Sequence, residues 1–275
     1  MTTVADLLRA SDLPALETRI LLEHVLGWRR TELITRDAEL LEDESVAAFE
    51  ALAKRRVAGE PIAQLVGSRE FFGLPFEVTP DVLIPRPETE LLVETALEVI
   101  ASIDTPRVLD LGTGSGAIAV AIAHERPQAH IWAVDKSPEA LAVAAQNALN
   151  LLGVDRPLTL LESDWTEALD PSLRFDLIVS NPPYIALGDP HLSEGDLRFE
   201  PRAALTDEAD GLAAIRTIIQ RAPFLLRPGG SLWLEHGFDQ AEQVRALLTA
   251  RGMSEVRSVR DLAGIARISG GVFAA

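Results

Sequence analysis

The chain has 275 residues, of which 47% are hydrophobic and 24% are charged, and its formal net charge is −17. This composition is typical of a folded globular protein, and the length predicts one large domain or two smaller ones. The negative charge disfavours binding to a nucleic acid backbone, which relies on Lys and Arg. Cysteine is absent and the five histidines show no paired ligand spacing, so we expect chemistry without a metal.

The sequence shows no signal for membrane targeting. Its first residues lack the basic and apolar regions of a signal peptide. The densest apolar run, residues 117–123, is far shorter than the roughly 20 residues of a membrane span. We therefore expect a cytoplasmic protein that does not enter a membrane.

The first 64 residues carry apolar side chains at helical spacing, such as Leu16 and Ile20, with Pro14 near a helix start. This pattern predicts a small helical domain. Residues 65–84 differ, because glycines and prolines interrupt short aromatic and β-branched runs. We interpret this segment as a β-hairpin connector between two domains.

Residues 85–275 alternate between strand-like and helical runs, which predicts an α/β domain with a mostly parallel sheet and helices on both faces. The predicted strands are 107–112, 130–135, 157–162, 174–180 and 231–237, and the predicted helices are 88–101, 117–125, 138–152, 210–226 and 239–251. The runs 255–262 and 264–272 predict an antiparallel hairpin at the sheet edge.

The segment between Tyr184 and about Ala209 contains no convincing element in the sequence. Loops of this length in compact domains are usually functional or disordered. Because the segment follows a motif, we expect a lid that contacts the substrate.

A glycine-rich turn, RVLDLGTGSG at 107–116, lies between the first predicted strand of this domain and its helix. Glycines let a ligand approach main-chain N–H groups, and dinucleotide enzymes use similar turns. Asp110 within the turn can receive an ammonium group but would repel a pyrophosphate, which favours S-adenosylmethionine over NAD. Asp135 ends the next strand, where it can accept hydrogen bonds from ribose hydroxyls in either kind of cofactor.

The third strand is followed by Asp164 and Trp165, which can supply an acceptor and an aromatic face for adenine. Each of these residues also has an ordinary structural interpretation. Asp110 could cap a helix, Asp135 could simply end a strand, and Trp165 could belong to the core. Their combination favours a nucleoside cofactor.

The fourth strand is followed directly by Asn181, Pro182, Pro183 and Tyr184. The carboxyl ends of parallel strands share one crevice, so this tetrad should face the glycine turn. The Asn181 side-chain carbonyl and the Pro182 main-chain carbonyl can accept the two N–H groups of an amide or amine, while the prolines stiffen the loop. Tyr184 offers a flat face. The alternative is an ordinary turn, which the position at the end of a strand disfavours.

The sequence DLGTGSG at 110–116, NPPY at 181–184 and IPRPETE at 84–90 together resemble the HemK/PrmC-type release factor glutamine methyltransferases over nearly the whole chain. The resemblance implies a seven-stranded Rossmann-like methyltransferase domain after a helical domain that helps to grip a release factor. It implies transfer of a methyl group from S-adenosyl-L-methionine to the glutamine of the Gly-Gly-Gln motif of peptide chain release factors, with S-adenosyl-L-homocysteine as the product.

Motif positions and chemistry together give the predicted site residues. The predicted cofactor residues are Asp110, Leu111, Gly112, Thr113, Gly114, Asp135, Asp164, Trp165 and Asn181. The predicted catalytic residues are Asn181 and Pro182, and the predicted substrate-binding residues are Asn181, Pro182, Pro183 and Tyr184.

Two alternatives remain beside this prediction. NPPY is shared with DNA adenine methyltransferases, but an enzyme that modifies bases needs a basic track for the strand, so we expect a protein partner and no direct nucleic acid contact. A cofactor-binding adaptor without catalysis would not need the intact tetrad. Five residues keep open roles, either in a structural ion pair such as Arg86 with Glu90 or in closing the site: Arg86, Glu90, Glu200, Arg202 and His236.

Overall fold

The computed structural model describes residues 2–156 and 158–274. These residues form two compact units. The first contains the chain up to Ser68 together with Glu194–Phe199, and the second contains Arg69–Ser193 and the chain from Glu200 onward. Pro157, the predicted first residue of a strand, and the two terminal residues lie outside the described residues. The predicted domain boundaries at residues 64 and 84 stay predictions.

The first unit is helical, as the apolar spacing predicts. Its helices are α1 (Val4–Ala10), α2 (Ala15–Leu26), α3 (Arg30–Thr35), α4 (Asp43–Val57) and α5 (Ile62–Val66). They enclose a core that includes Val4, Leu22 and Phe49. Within this unit, Arg56 forms ion pairs with Glu17 at 2.8 Å and with Asp196 at 3.0 Å, so it joins the segment 194–199 to the helices.

A two-stranded sheet of β1 (Ser68–Phe71) and β2 (Leu74–Glu77) confirms the predicted hairpin. Phe72 and Gly73 both have positive φ, 53° and 75°, as the favoured two-residue hairpin turn requires. After β2 the chain runs without a strand to a 3₁₀ turn, Pro87–Thr89, and then enters α6 (Glu90–Val99).

The second unit contains a seven-stranded sheet, which confirms the predicted α/β class. Its strands are β3 (Arg107–Leu111), β4 (His130–Asp135), β5 (Thr159–Glu162), β6 (Phe175–Ser180), β7 (Leu226–Glu235), β8 (Met253–Arg260) and β9 (Ala266–Phe273). The order is β5-β4-β3-β6-β7-β9-β8, with β3 to β7 parallel and β9 antiparallel to both of its neighbours. Since β4 and β6 flank β3, the strand order reverses there and a crevice opens beyond the carboxyl ends of β3 and β6.

Helices cover both faces of this sheet. Beside α6 they are α7 (Ala117–Glu125), α8 (Pro138–Leu152), α10 (Ala213–Arg221) and α11 (Ala241–Ala250), whereas the short α9 (Arg202–Leu205) lies in the connection between β6 and β7. Apolar residues of α6, α7 and α8 form one core against the sheet, and those of α10 and α11 form the other. In the described part of the chain, no helix is both long enough and apolar enough to cross a membrane.

The segment between Tyr184 and Ala209 is more structured than the sequence predicts. It contains α9 and two 3₁₀ turns, Pro190–Ser193 and Gly195–Phe199. The expectation of a segment without elements is therefore wrong, because elements of four or five residues are too short to show a periodic apolar pattern. The predicted role of the segment as a lid stays a prediction.

Candidate active site

A cleft of about 240 Å³ lies beyond the carboxyl ends of β3 and β6, entirely within the second unit. This volume is slightly below that of most small-molecule sites, which measure about 300 to 1,000 Å³. The predicted site residues that line it are Gly112, Thr113, Gly114, Asp135, Asp164, Trp165, Asn181 and Pro183. The fold therefore brings the glycine turn, two strand-end aspartates and part of the NPPY motif to one cavity.

The glycine turn and Trp165 both line the cleft. Gly112 has φ 73°, a left-handed conformation that glycine adopts without steric cost, and a Cβ atom there would touch the Trp165 ring at 3.4 Å. Trp165 itself has φ 54°, which is rare for a bulky residue and is found at ligand clamps. The turn therefore requires glycine at position 112 for its backbone conformation.

Asp135 is held rigidly at the end of β4. One carboxylate oxygen accepts from the Gly114 N–H at 2.9 Å, and the other accepts from the Ser137 N–H at 3.0 Å. A carboxylate has about four acceptor positions, so two remain for a ligand in the cleft. Asp135 can thus tie the glycine turn to the start of α8 and still accept from hydroxyl groups.

Asp110 and Leu111 are buried and do not line the cleft. Asp110 Oδ2 accepts from the Thr113 hydroxyl at 2.7 Å, and Oδ1 has no hydrogen-bond partner among the described residues. Burial raises the pKa of Asp110 to about 7. The carboxyl group therefore positions Thr113. The direct contact of Asp110 with an ammonium group stays a prediction, and the buried carboxyl group does not reach the cleft surface.

Asn181 lines the cleft directly after β6. Its Nδ2 donates to the Thr89 hydroxyl at 3.1 Å, which leaves Oδ1 as the free acceptor of the side chain. Pro183 lines the same cavity, whereas Pro182 is buried. The structure thus presents one side-chain acceptor where the sequence predicts it.

Tyr184 takes a different position from the one expected of a flat substrate-binding face. Its ring packs against the core under α10 and α11 and does not line the cleft. Its hydroxyl donates to Glu235 Oε1 at 3.1 Å. The hydroxyl prefers this buried acceptor because an unpaired polar group costs free energy away from water.

Glu235 and Thr89 are residues of the site region that the sequence analysis did not single out. Glu235 ends β7 beside the end of β6, and both residues are buried. Burial raises the pKa of Glu235 to about 7, while the hydrogen bond from the Tyr184 hydroxyl opposes the rise. The sequence could have indicated them through their neighbours: Thr89 lies in PRPETE at 85–90, and Glu235 lies in LEHG at 234–237, which ends a predicted strand.

Arg86, Glu90 and Glu200, whose roles the sequence left open, form contacts with other residues of the protein. Arg86 lines the cleft and pairs with the buried carboxylate of Glu200, which also accepts from the Ile84 N–H at 2.9 Å. Glu90 instead accepts from the Phe72 N–H at 2.8 Å. The suggested Arg86 pair with Glu90 is therefore replaced, because each side chain has a nearer partner in the loop or hairpin beside it.

His236 and Arg202 also lie outside the chemistry of the cleft. His236 is buried with its ring nitrogens at 2.9 Å from the Gly237 carbonyl and 2.7 Å from the Ser269 hydroxyl, and burial lowers its pKa. Arg202 forms an exposed ion pair with Glu208. Neither residue lines the cavity.

Known proteins resemble the chain over nearly its full length. The release factor glutamine methyltransferase of Burkholderia pseudomallei is 65% identical over 98% of this chain and 95% of its own length. That of Bordetella pertussis is 58% identical over 98% and 99%. The chain belongs to the release factor glutamine methyltransferase family. Within it, the PrmC N-terminal domain model matches residues 1–67, and the methyltransferase small domain model matches residues 87–193.

The fold of this methyltransferase occurs beyond its own family. A methyltransferase from Pyrococcus furiosus is 18% identical, with a TM-score of 0.53 over 81% of this chain and 98% of its own. At that identity the likeness concerns the fold alone.

The cofactor of this family is S-adenosylmethionine. The cleft fits such a molecule in two ways. Asp135 keeps two acceptor positions that suit ribose hydroxyls, and Trp165 lines the same cleft with an aromatic ring that suits adenine. The residues present therefore suit the nucleoside part of this cofactor.

Proposed function

We propose that this protein transfers a methyl group from S-adenosylmethionine to the side-chain amide nitrogen of the glutamine in the Gly-Gly-Gln motif of peptide chain release factors. One observation carries the proposal: Asn181, fixed by Thr89, offers its carbonyl oxygen at the cavity that the glycine turn also lines. The names of the closely similar relatives support the choice of substrate.

The cofactor supplies a methyl group activated by a sulfonium charge. In this proposal Asp135 accepts from the ribose hydroxyls, Trp165 and Asp164 border the adenine, and the turn from Asp110 to Gly114 receives the amino-acid end. Asp110 acts there through Thr113, because its own carboxyl group is buried. The sheet supports this assignment of roles, because the three groups follow neighbouring parallel strands. The glycine turn follows β3, Asp135 ends β4, and the pair of Asp164 and Trp165 follows β5.

The acceptor nitrogen needs orientation more than activation by a base. The lone pair of an amide nitrogen is delocalised, so productive attack requires the NH₂ group to lie in a fixed plane. Asn181 Oδ1 accepts one N–H, and the main-chain carbonyl of Pro182 accepts the other. The rings of Pro182 and Pro183 restrict φ and so hold both acceptors in place.

A protein partner suits the charge of the chain better than a nucleic acid does. At a net charge of −17 the protein offers little attraction to phosphates. The helical first unit, none of whose described residues lines the cleft, serves in this proposal to recognise the release factor. Since release factors act in translation, the protein is proposed to work in the cytoplasm, without membrane contact.

The test is a labelling assay with the purified protein and a methyl-labelled cofactor. We expect label in a release factor, on the glutamine of its Gly-Gly-Gln motif, as located by peptide mass spectrometry. A release factor with that glutamine replaced by alanine is the matched control and should stay unlabelled. Label in DNA or RNA, but not in the factor, would instead support the base-modifying alternative.

A further inference from the structure

Three loops of the second unit meet at the side chain of Gln240. They are the NPPY loop, residues 181–184, the segment before α10, and the loop between β7 and α11. Gln240 is buried, with 8% of its surface exposed, and it lies outside the lining of the cleft. It can therefore act on the proposed reaction only through the loops that it joins.

The side-chain amide of Gln240 makes all of its hydrogen bonds to main-chain groups. Its Nε2 donates to the Tyr184 carbonyl at 3.0 Å and to the Gly211 carbonyl at 3.2 Å. Its Oε1 accepts from the Gly237 N–H at 2.8 Å. Because a carbonyl only accepts and a main-chain N–H only donates, these partners fix the orientation of the amide. Gln240 thus ties one point of each loop to the other two.

The junction is packed too closely for a side chain at position 211. Gly211 has φ 78°, and a Cβ atom there would lie 2.5 Å from the Tyr184 carbonyl oxygen and 2.9 Å from Gln240 Nε2. A positive φ by itself also favours glycine. The Tyr184 carbonyl is therefore in contact with Gln240 on one side and close to the Gly211 backbone on the other.

The loop that carries Gln240 is itself fixed to the sheet through His236. Burial lowers the pKa of His236, so the ring is neutral near pH 7. The Gly237 carbonyl only accepts, so Nδ1 carries the proton in their 2.9 Å contact, and Nε2 accepts from the Ser269 hydroxyl at 2.7 Å. Ser269 in turn accepts from the Ser258 hydroxyl at 2.7 Å, and Ser258 accepts from Arg245 at 2.7 Å. This chain of hydrogen bonds fastens the Gly237 peptide to β9 and β8.

The NPPY loop is held at both of its ends. Before it, β6 pairs with β3 and β7, and the buried Ser180 hydroxyl donates to the Leu111 carbonyl at 2.6 Å. The two prolines restrict φ in the middle of the loop. At the other end, Gln240 holds the Tyr184 carbonyl. Loss of this contact would let the peptide after Tyr184 rotate and would loosen the Pro182 carbonyl two residues earlier.

We propose that Gln240 is a positioning residue for methyl transfer, which holds the main chain at Tyr184 and so keeps Asn181 and the Pro182 carbonyl aligned with the acceptor amide. The inference rests on the proposed function, in which those two groups accept the N–H protons of the glutamine. Misplacing an orienting group by about 1 Å can cost about 10²-fold in rate. Gln240 therefore affects the rate of transfer and leaves cofactor binding unchanged.

The experiment compares single-turnover methylation by the full-length wild type and four variants: Gln240→Met, Gln240→Glu, Gly211→Ala and Gln243→Met. Methionine has nearly the shape of glutamine but removes all three contacts. Glutamate keeps the acceptor for the Gly237 N–H and loses the donors to both carbonyls. Gly211→Ala disturbs the Tyr184 carbonyl while Gln240 stays intact. Gln243 is the matched control, because it is exposed and lies on α11 three residues later.

The expected results separate positioning from a structural role. Gln240→Met should lower the maximal rate constant about 10- to 100-fold. Gln240→Glu should be at least as slow, since its carboxylate would face two carbonyl oxygens, and Gly211→Ala should also be slowed. Gln243→Met should stay close to the wild type. In all variants we expect unchanged cofactor affinity in calorimetry and an unchanged release factor concentration for half-maximal rate.

Two outcomes would overturn the proposal. If Gln240 only helps to begin α11 through its contact with Gly237, Gln240→Glu keeps that contact and methylates at the wild-type rate. If the variants lose affinity for cofactor or release factor while the maximal rate is unchanged, Gln240 does not position the reacting groups.

Hydrogen exchange tests the anchoring without any substrate. The amide N–H groups of Ile185 and Leu187 donate to main-chain carbonyls of the segment 205–209 at 3.0 and 2.9 Å, so their exchange reports the freedom of the chain that follows the NPPY loop. Both should exchange faster in the two Gln240 variants, but not in Gln243→Met. If the wild type fails to methylate a release factor, the proposed function is wrong, yet the exchange result still decides whether Gln240 holds this segment. Equal exchange in all of these proteins would refute the positioning role.

Discussion

Two substitutions of Asn181, to alanine and to aspartate, test the roles of its Oδ1 acceptor and its Nδ2 donor separately. Asn181→Ala removes the Oδ1 acceptor and the Nδ2 donor to Thr89. Losing one preorganised polar contact to the reacting group typically costs about 10² to 10³ in rate, or about 2.7 to 4 kcal/mol of transition-state stabilisation. Because Asn181 lines an open cleft, water can replace it at Thr89, and we expect the free energy of unfolding to change by about 1 kcal/mol or less.

Asn181→Asp keeps an acceptor but loses the donor to Thr89. The new carboxylate can only accept from the Thr89 hydroxyl, so this contact would reverse its direction and occupy one of the acceptor positions. We therefore expect its rate to lie between those of the wild type and Asn181→Ala. The rate is measured under single-turnover conditions on the intact release factor, with cofactor affinity followed by calorimetry.

The measured rates and affinities distinguish three roles of Asn181: hydrogen-bond acceptance, turn formation and cofactor binding. If Asn181→Asp is slower than Asn181→Ala, acceptance is not the main role of the side chain. Should both variants methylate the glutamine at the wild-type rate, Asn181 is only a turn residue and the orientation argument fails. A large loss of cofactor affinity in both would point to a role in holding the cofactor instead.

Four other expectations follow from the same structure. Asp135→Ala should weaken cofactor binding clearly in calorimetry, since it removes the acceptors proposed for the ribose hydroxyls and the contact that ties the glycine turn to α8; unchanged affinity would refute its role. Gly112→Ala should weaken cofactor binding and lower stability by about 1 to 2 kcal/mol, because the residue has a left-handed backbone beside Trp165; an unaltered denaturation midpoint would contradict this. Arg86→Met should lower the unfolding free energy by about 2 kcal/mol in urea, because it leaves a buried carboxylate without its cation. Asp110→Asn should increase stability at pH 8 but not at pH 4: burial raises the folded pKa to about 7, so the wild type loses stability as the pH rises through that value.

The sequence by itself was sufficient to predict the fold class and the type of reaction, methyl transfer from S-adenosylmethionine. Alternating strand and helix patterns after residue 85 predicted the sheet, because periods of 2 and 3.6 residues are local properties of the chain. The positions of the glycine turn and of Asn181 after their strands predicted a shared crevice, because parallel strands bring their carboxyl ends to one edge. Those inferences needed only local pattern and a general rule of topology.

Only the tertiary structure decided which way the polar side chains point and which of them meet. Asp110 lies two residues before Gly112 yet is buried and accepts from Thr113, and Tyr184 directly follows Pro183, which lines the cleft, yet packs into the core. The contact between Asn181 and Thr89 joins residues 92 positions apart, and that between Tyr184 and Glu235 joins residues 51 apart. Such partners are set by the packing of α6 and β7 around β6, and no local sequence pattern encodes which hydroxyl will be the nearest to a buried carboxyl group.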